Sequence, residues 1–547
     1  MGASAPPIRE VPVPRSAPAA FVALLLALTC LVTSGPSQAA RSAKRPPAPT
    51  ATPAVPLQGT TVTLRAKFPT KFRRPATLQI NTGAGWRNVQ TKKTQRNGRV
   101  AFAVTVPGNV LYRVRAKKVR HHGVKKLLIT QARRVPAKPR AELVTGTPAG
   151  KSTGKEGGSV ELSADARYVV FMSAATNLVQ GVTGYTENNS HIYLRDRVAR
   201  TTVLVDGASA SVAGNGTSSH PGISRDGRYV TFASLADNLV DWDSNDKQDI
   251  FRWDRTNGTI IRVTSDAFGD PTDNSSYDPV ISANGSRIAY STDATTIDSD
   301  DDNGVSDVYV WDSGTGKSER VSEDVLGNDS NGASYAPSIS ADGAYVGYQS
   351  NASDLVIGDS NGTADVYRRN IAAGTNARVS VATSGQPNGY STQAAVSATG
   401  RYVAFASQAD NLVAGGSPDN GSTNVFVRDM TAGTTVLASR DRVSGPTNGM
   451  SYGATSISDD GRLVTFPSMA TDLVAGDTNG KPDGFLWDRS TGKVSMIVRD
   501  KLWGPTNGPI FEPVLSADTK WVGFYTQASD LSPSDTSPVT DGFVWRR

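Results

Sequence analysis

The chain has a single cysteine, Cys30, among 547 residues, which excludes a disulfide scaffold. It has four histidines, and the adjacent pair His121-His122 points to opposite faces of a strand, a poor geometry for sharing a metal. HExxH and P-loop spacings are missing, so the zinc-peptidase and nucleotide-binding signatures are not in place. Only residues 19–32 form a long apolar run, which leaves the mature chain without a transmembrane helix. Acidic residues are missing altogether from residues 41–140, a stretch that holds 24 of the 57 Lys and Arg. Residues 141–547 hold 31 basic and 49 acidic side chains, so the formal charge of +7 is a difference between opposites. That distribution excludes a uniformly basic nucleic-acid binder. What the chain has in excess is turn material, 52 Gly and 31 Pro, more than a helical bundle tolerates.

Arg9 and Arg15 precede the apolar run, and Ser37-Gln38-Ala39 follows it. A charged start, a short apolar middle and a small-x-small exit predict a secretory signal peptide over residues 1–39, and with it a secreted or cell-envelope (periplasmic) location. Residues 40–56 are proline-rich and predict an extended linker. Residues 57–140 alternate apolar and polar positions in about six segments, the pattern of a small β-sandwich. The stretch "GWRNVQTKKTQRNGRVAFAVTVPGNVLYRVRAKK" resembles the immunoglobulin-like modules of secreted actinobacterial proteins. Its outward positions are basic, as in Arg113, Arg115 and Lys117, which predicts contact with an anionic cell-envelope polymer. Base-stacking aromatics are too sparse there for a specific nucleic-acid partner.

Residues 141–547 repeat. One half-signature, as in "ISRDGRYVTFAS", carries an aromatic at Phe171, Phe232, Tyr290, Tyr348, Phe405, Phe466 and Phe524. A second, as in "DVYVWD", carries one at Tyr193, Phe251, Tyr309, Tyr367, Phe426, Phe485 and Phe543. Both markers recur every 57–61 residues, so one structural unit is repeated seven times. Each unit reads as four short antiparallel strands, a to d, which is a propeller blade. The last unit stops at strand c, and the segment "AELVTGT" near residue 141 matches a strand d. The expected fold is therefore all-β: a seven-bladed β-propeller over residues 141–547, with an N-terminal strand completing the last blade, plus the small N-terminal Ig-like β-sandwich. The "SxDGxxVxF" and "DVYxxD" halves resemble the TolB-like propeller repeats of exported bacterial proteins, a resemblance that implies fold and leaves activity open. Trp253-Asp254 and its counterparts are not WD repeats, because the period is too long.

Strand alternation puts the short a–b and c–d turns on one face and the longer d–a and b–c connections on the other, where binding is expected. Just before strand a, the repeats vary: His220, Asp278, Gln393 and Glu512 are polar, with Tyr277, Tyr335 and Phe511 beside them. These seven residues are the predicted ligand-binding rim of a channel mouth. The b–c connections are acidic and offer oxygen ligands at calcium-loop spacing: Asp241, Asp243, Asn245 and Asp249; Asp301, Asn303 and Asp307; Asp359, Asn361 and Asp365; Asp477, Asn479 and Asp483. The alternative for these loops is Asx-turn chemistry without metal. Calcium is thus a possible ligand and no cofactor is required. The function expected is an exported, non-catalytic binding or scaffold protein, monomeric, that presents the propeller to a protein or glycan ligand. The alternative is a propeller enzyme, a polysaccharide lyase, glycosidase or peptide hydrolase, using carboxylates at the channel mouth. No individual catalytic residue is assigned.

Overall fold

The computed structural model describes residues 46–52, 61–69, 73–81, 85–106, 110–121, 124–135, 140–147, 149–186, 188–414, 421–442, 447–453, 456–500, 504–532 and 539–547. The expected signal peptide, with Cys30, lies outside the described residues. Among the described residues no helix is long and apolar enough to cross a membrane.

Eight strands precede residue 140: β1 (Thr50–Thr52), β2 (Thr61–Lys67), β3 (Pro75–Asn81), β4 (Trp86–Lys93), β5 (Arg99–Thr105), β6 (Val110–His121), β7 (Val124–Ile129) and β8 (Arg133–Val135). They form two antiparallel sheets, β1-β2-β5 and β4-β3-β6-β7, with β8 also on β6. Alternation decides what faces inward. In β2, Val62, Leu64 and Ala66 are buried while Thr61, Arg65 and Lys67 are exposed. The inward residues of both sheets share one core around Leu64, Leu78, Phe102, Tyr112 and Val114. The proline-rich stretch is not wholly an extended linker, because Thr50–Thr52 pairs with β2 as an edge strand. Trp86 is covered by the Arg113 guanidinium, 4.0 Å from the ring centre, so one of the basic side chains serves packing as well as charge.

Among the described residues the remainder forms one two-stranded ribbon, Gly207–Ser209 with Val212–Ala213, and seven four-stranded antiparallel sheets. They occupy residues 157–204, 218–262, 276–320, 334–378, 391–437, 456–496 and 510–546, and the last borrows a strand from residues 141–143. The first six sheets run a-b-c-d in chain order, as in the second: Ser218–Ile223, Tyr229–Ser234, Asp249–Asp254 and Thr259–Arg262. The two aromatic markers meet in space. Strand b stacks on strand c in every sheet, from Phe171 on Tyr193 at 5.7 Å to Phe524 on Phe543 at 5.9 Å. Such a pair is worth about 0.5–1.5 kcal/mol beyond its buried area. Each sheet packs on its neighbours, and strand a of the first packs on strand b of the seventh. The fold is a β-propeller.

The a–b turn explains its own glycine. Gly227 has φ +70°, and a Cβ there would meet the Tyr168 ring of the preceding blade at 2.3 Å. Gly285 stands in the same relation to Tyr229. The turn therefore needs glycine twice, for the left-handed backbone and for the close approach between blades.

Ring closure uses chain ends about 400 residues apart. Ala141, Glu142 and Leu143 pair with Trp545, Val544 and Phe543. The pairing continues as Val144 N donates to Gly542 O at 2.9 Å and Thr145 Oγ1 to Asp541 Oδ1 at 2.8 Å. The seventh sheet thus has no unpaired d-edge, the usual hazard of an open sheet.

Candidate functional site

Strand a lines the axis of the ring. Its last residue is Leu162, Ile223, Ile281, Ile339, Val396, Ile457 or Leu515, one per blade, which makes an aliphatic ring at the waist of the channel. Below it, against the a–b turns, is a cavity of about 220 Å³. Above it a second cavity of about 310 Å³ is walled by Pro221, Pro279 and Pro337 and by Glu161. A larger space of about 510 Å³ lies at the outer strands of the first two blades, against Leu204, Trp253 and Ile260. The axial cavities are the better candidate, because polar groups from several blades converge there.

The lower end of the channel is crossed by an ion pair. The second residue of the Ser-x-Asp/Asn-Gly turn is alanine in five blades, Arg225 in the second and Asp459 in the sixth. Arg225 Nη1 donates to Asp459 Oδ2 at 2.6 Å and Nη2 to Oδ1, a bidentate pair between non-adjacent blades. Backbone bonds between consecutive turns brace this end: Ala164 N to Arg225 O at 2.8 Å, Arg225 N to Ala283 O at 2.9 Å and Asp518 N to Ala164 O at 2.9 Å. The other end of the channel faces the d–a and b–c connections.

The predicted rim residues do not stand before strand a. They are its third residue, at a β-bulge where the register with strand b shifts. His220, Asp278, Gln393 and Glu512 all have positive φ, 48°, 51°, 53° and 41°, as do Ser159 and Ala336 at the same place. The seventh member, Ala454, lies outside the described residues. The bulge lifts one side chain per blade out of the strand alternation, and six non-glycine residues hold a conformation that L side chains seldom adopt. His220 Nε2 lies 3.5 Å from Asp278 Oδ1, so the structure brings these two together. Gln393 N donates to Gln349 Oε1 of the preceding blade at 3.3 Å. Phe511 stacks on Tyr525 at 5.3 Å, and Tyr277 OH bonds Asp293 Oδ2 at 3.1 Å, so both rings are held by their own blade. Tyr335 is exposed. Two further exposed rings, Tyr390 and Tyr452, precede strand a in the fifth and sixth blades. The repeat register signals Tyr452, which aligns with Tyr335, whereas Tyr390 stands two places earlier, aligned with Ala333.

Glu161, in strand a of the first blade, was not among the predicted residues. It lines the upper channel, where burial, reinforced by the charge of Glu512, pushes its carboxyl up to about 8. A carboxyl whose pKa rises on folding is protonated in the folded state over a range where the unfolded chain has already released its proton. Its contribution to stability is full below its ordinary value of 4.5 and declines as pH rises toward 8. Glu161→Gln is expected to flatten this part of the pH–stability curve and to melt above wild type at pH of about 8, as thermal unfolding across pH would read.

The acidic b–c connections carry their own cation in three blades. Strand d ends in Arg262, Arg320 or Arg378 in the second, third and fourth. Arg262 Nη1 is 3.7 Å from Asp243, and Arg378 Nη1 is 3.2 Å from Asp359 and 3.6 Å from Asp365. Arg320 bonds Asp298 and Asp329, each at 3.0 Å, and its Nε reaches Tyr309 OH at 3.2 Å. Asp301, Asp307 and Asp329 each turn an oxygen to within 4.8 Å of the others around this guanidinium. The asparagines make Asx turns: Asn245, Asn303, Asn361 and Asn479 accept from the backbone N–H two residues on, at 3.0, 2.7, 3.1 and 3.0 Å. In the first three of these, Nδ2 points at Asp249, Asp307 and Asp365, which puts a donor where a cation ligand would need an acceptor. Asp241 is exposed.

No family model matches the chain, and no curated protein matches it. Solved structures do. A TolB-assigned protein from Agrobacterium tumefaciens matches 64% of this chain and 95% of its own, at 16% identity and a TM-score of 0.34. The WD40 repeats of RRP9 match 75% of this chain and 98% of their own, at 10% identity and a TM-score of 0.39. The extracellular domain of a hybrid two-component system from B. thetaiotaomicron matches 89% of this chain and 57% of its own, at 10% identity and a TM-score of 0.41. The fold itself rests on the seven sheets.

Proposed function

We propose that this is an exported, non-catalytic binding protein whose funnel mouth takes a protein segment or a glycan. The observation that supports it is the axial channel, spanned at one end by the Arg225–Asp459 ion pair and collared at the other by the bulge residues. A collar that offers His220, Asp278, Gln393 and Glu512, with exposed Tyr335, Tyr390 and Tyr452 nearby, combines hydrogen-bonding groups with rings on which a sugar or an apolar side chain can stack. The test is calorimetric titration with envelope glycans and peptides against wild type and the variant His220→Glu, Asp278→Lys, Gln393→Lys, Glu512→Lys. Binding is expected to weaken at least about tenfold, the loss of about 1.4 kcal/mol that one disrupted polar contact brings. Unchanged affinity would sink the collar as the site.

The basic stretch is the proposed contact with an anionic cell-envelope polymer. Arg65, Lys67, Lys92, Lys93 and Arg99 surround one surface hollow of this module, with no acid in its sequence to offset them. Binding to such a polymer should fall steeply with salt and disappear when residues 57–140 are removed. The enzymatic alternative is favoured by one observation, the proton held on Glu161 near neutral pH with a second carboxylate, Glu512, beside it. Turnover of any envelope polysaccharide that Glu161→Gln abolishes would establish that reading instead.

A further inference from the structure

Six of the seven blades have a buried polar pair where strand c begins. In the second, third and fourth blades, Asp249, Asp307 and Asp365 accept from Thr264, Ser322 and Ser380, the residue two places after strand d. The seventh blade has Asp541 with Thr145, the fifth Asn424 with Ser439 at 3.2 Å, and the first His191 with Asp206 at 2.9 Å. The sixth blade breaks the pattern. Its carboxylate is present as Asp483, fully buried, but the hydroxyl position is Val498. The arginine position of the second to fourth blades is Met496, which pairs with Phe485 as Arg262 pairs with Phe251. Asn479 turns its amide to Thr506 O at 3.0 Å. Neither oxygen of Asp483 has a hydrogen-bond partner, and Oδ1 of the equally buried Asp477 beside it has none either. Arg499 lends charge to both acids, yet it donates to neither of these unpartnered groups.

We propose that the sixth blade holds one divalent cation, of the calcium type, between Asp477 and Asp483, in the place that an arginine fills in the second, third and fourth blades. A buried carboxylate without donors costs several kcal/mol, and the two acids offer hard oxygens that converge from one turn. The third blade has more carboxylates but does not need an ion, because Arg320, Ser322, Asn303 and Tyr309 already bond them.

The test uses the full chain, stripped with a chelator and titrated with calcium chloride. One ion per chain is expected, with a Kd on the order of 10⁻⁴ M, together with a melting temperature that rises with calcium. Asp483→Asn should abolish both responses. Met496→Arg, which restores the internal cation of the other blades, should raise the melting temperature in chelator and remove the calcium response. A wild type that neither binds calcium nor melts higher in it would overturn the proposal, and so would a calcium response that survives in Asp483→Asn or Met496→Arg. The Met496→Arg arm keeps the test decisive if Asp483→Asn does not fold. The funnel mouth is untouched by these variants, so this site and the proposed function stand or fall separately.

Discussion

Removing residues 1–149 is expected to destabilise the propeller by about 5 kcal/mol, whereas removing residues 1–139 should leave its melting unchanged. The two truncations differ only by the segment that completes the seventh blade. Ala141 and Val144 are buried there, and Leu143 packs on the same core. Loss of such aliphatic side chains costs about 1.5–3 kcal/mol apiece. Thr145 Oγ1 donates to Asp541, which is fully buried, so loss of this donor leaves a buried carboxylate less satisfied, a penalty of about 1–3 kcal/mol. The loss approaches the whole stability of an ordinary domain, about 5–15 kcal/mol. The shorter protein should therefore unfold early or aggregate through its exposed strand edge. Denaturant unfolding of the two truncations side by side measures the difference, and equal midpoints would show that the ring does not depend on its closing strand.

Arg320→Met is expected to cost about 3–5 kcal/mol, although methionine is accommodated at the same place in the sixth blade. The Arg320 side chain is 2% exposed and bonds Asp298, Asp329 and the Tyr309 hydroxyl. Without it, three carboxylates share a buried site with no cation. Burial already pushes Asp301 up to about 6 and Asp307 to about 7, and loss of the guanidinium would push Asp301 further. Unpaired acids can take up protons, so the destabilisation should be larger at pH of about 8 than at pH of about 5.5. Arg167→Met, which removes an exposed pair with Asp196, is the control and should hardly move the transition. A variant at Arg320 no less stable than this control would mean that the acidic cluster holds itself together without its arginine.

Much of the architecture was legible. The two aromatic markers stack on each other within a blade because they fall on adjacent strands in matched register, as Phe232 and Phe251 do. The matching of "AELVTGT" to a strand d anticipated the closing pairs, since a strand carries its edge chemistry in its own residues. The rim was read one step wrong. Alternation predicts which face a residue takes but not where an extra residue is inserted, and the bulge moved His220, Asp278, Gln393 and Glu512 into strand a. The acidic loops were recognised as oxygen-rich turns, but their counter-charges come from strand d, some 13 to 19 residues farther on, as with Arg378 for Asp365 and Asp359. Glu161 escaped notice because its neighbours along the chain are ordinary strand residues, and only the seven-fold ring makes that position a channel wall.

By itself the sequence determined the repeat, the four strands of each unit, the closing strand and the separation of charge between the basic stretch and the acidic remainder. Those features are written in short-range periodicity and composition, which need no knowledge of distant partners. The tertiary structure alone decided what meets across the axis. Arg225 and Asp459 are 234 residues apart, and no local pattern links them. They differ from five alanines at the same turn, yet only closure of the ring turns two isolated exceptions into a bidentate pair that ends the channel.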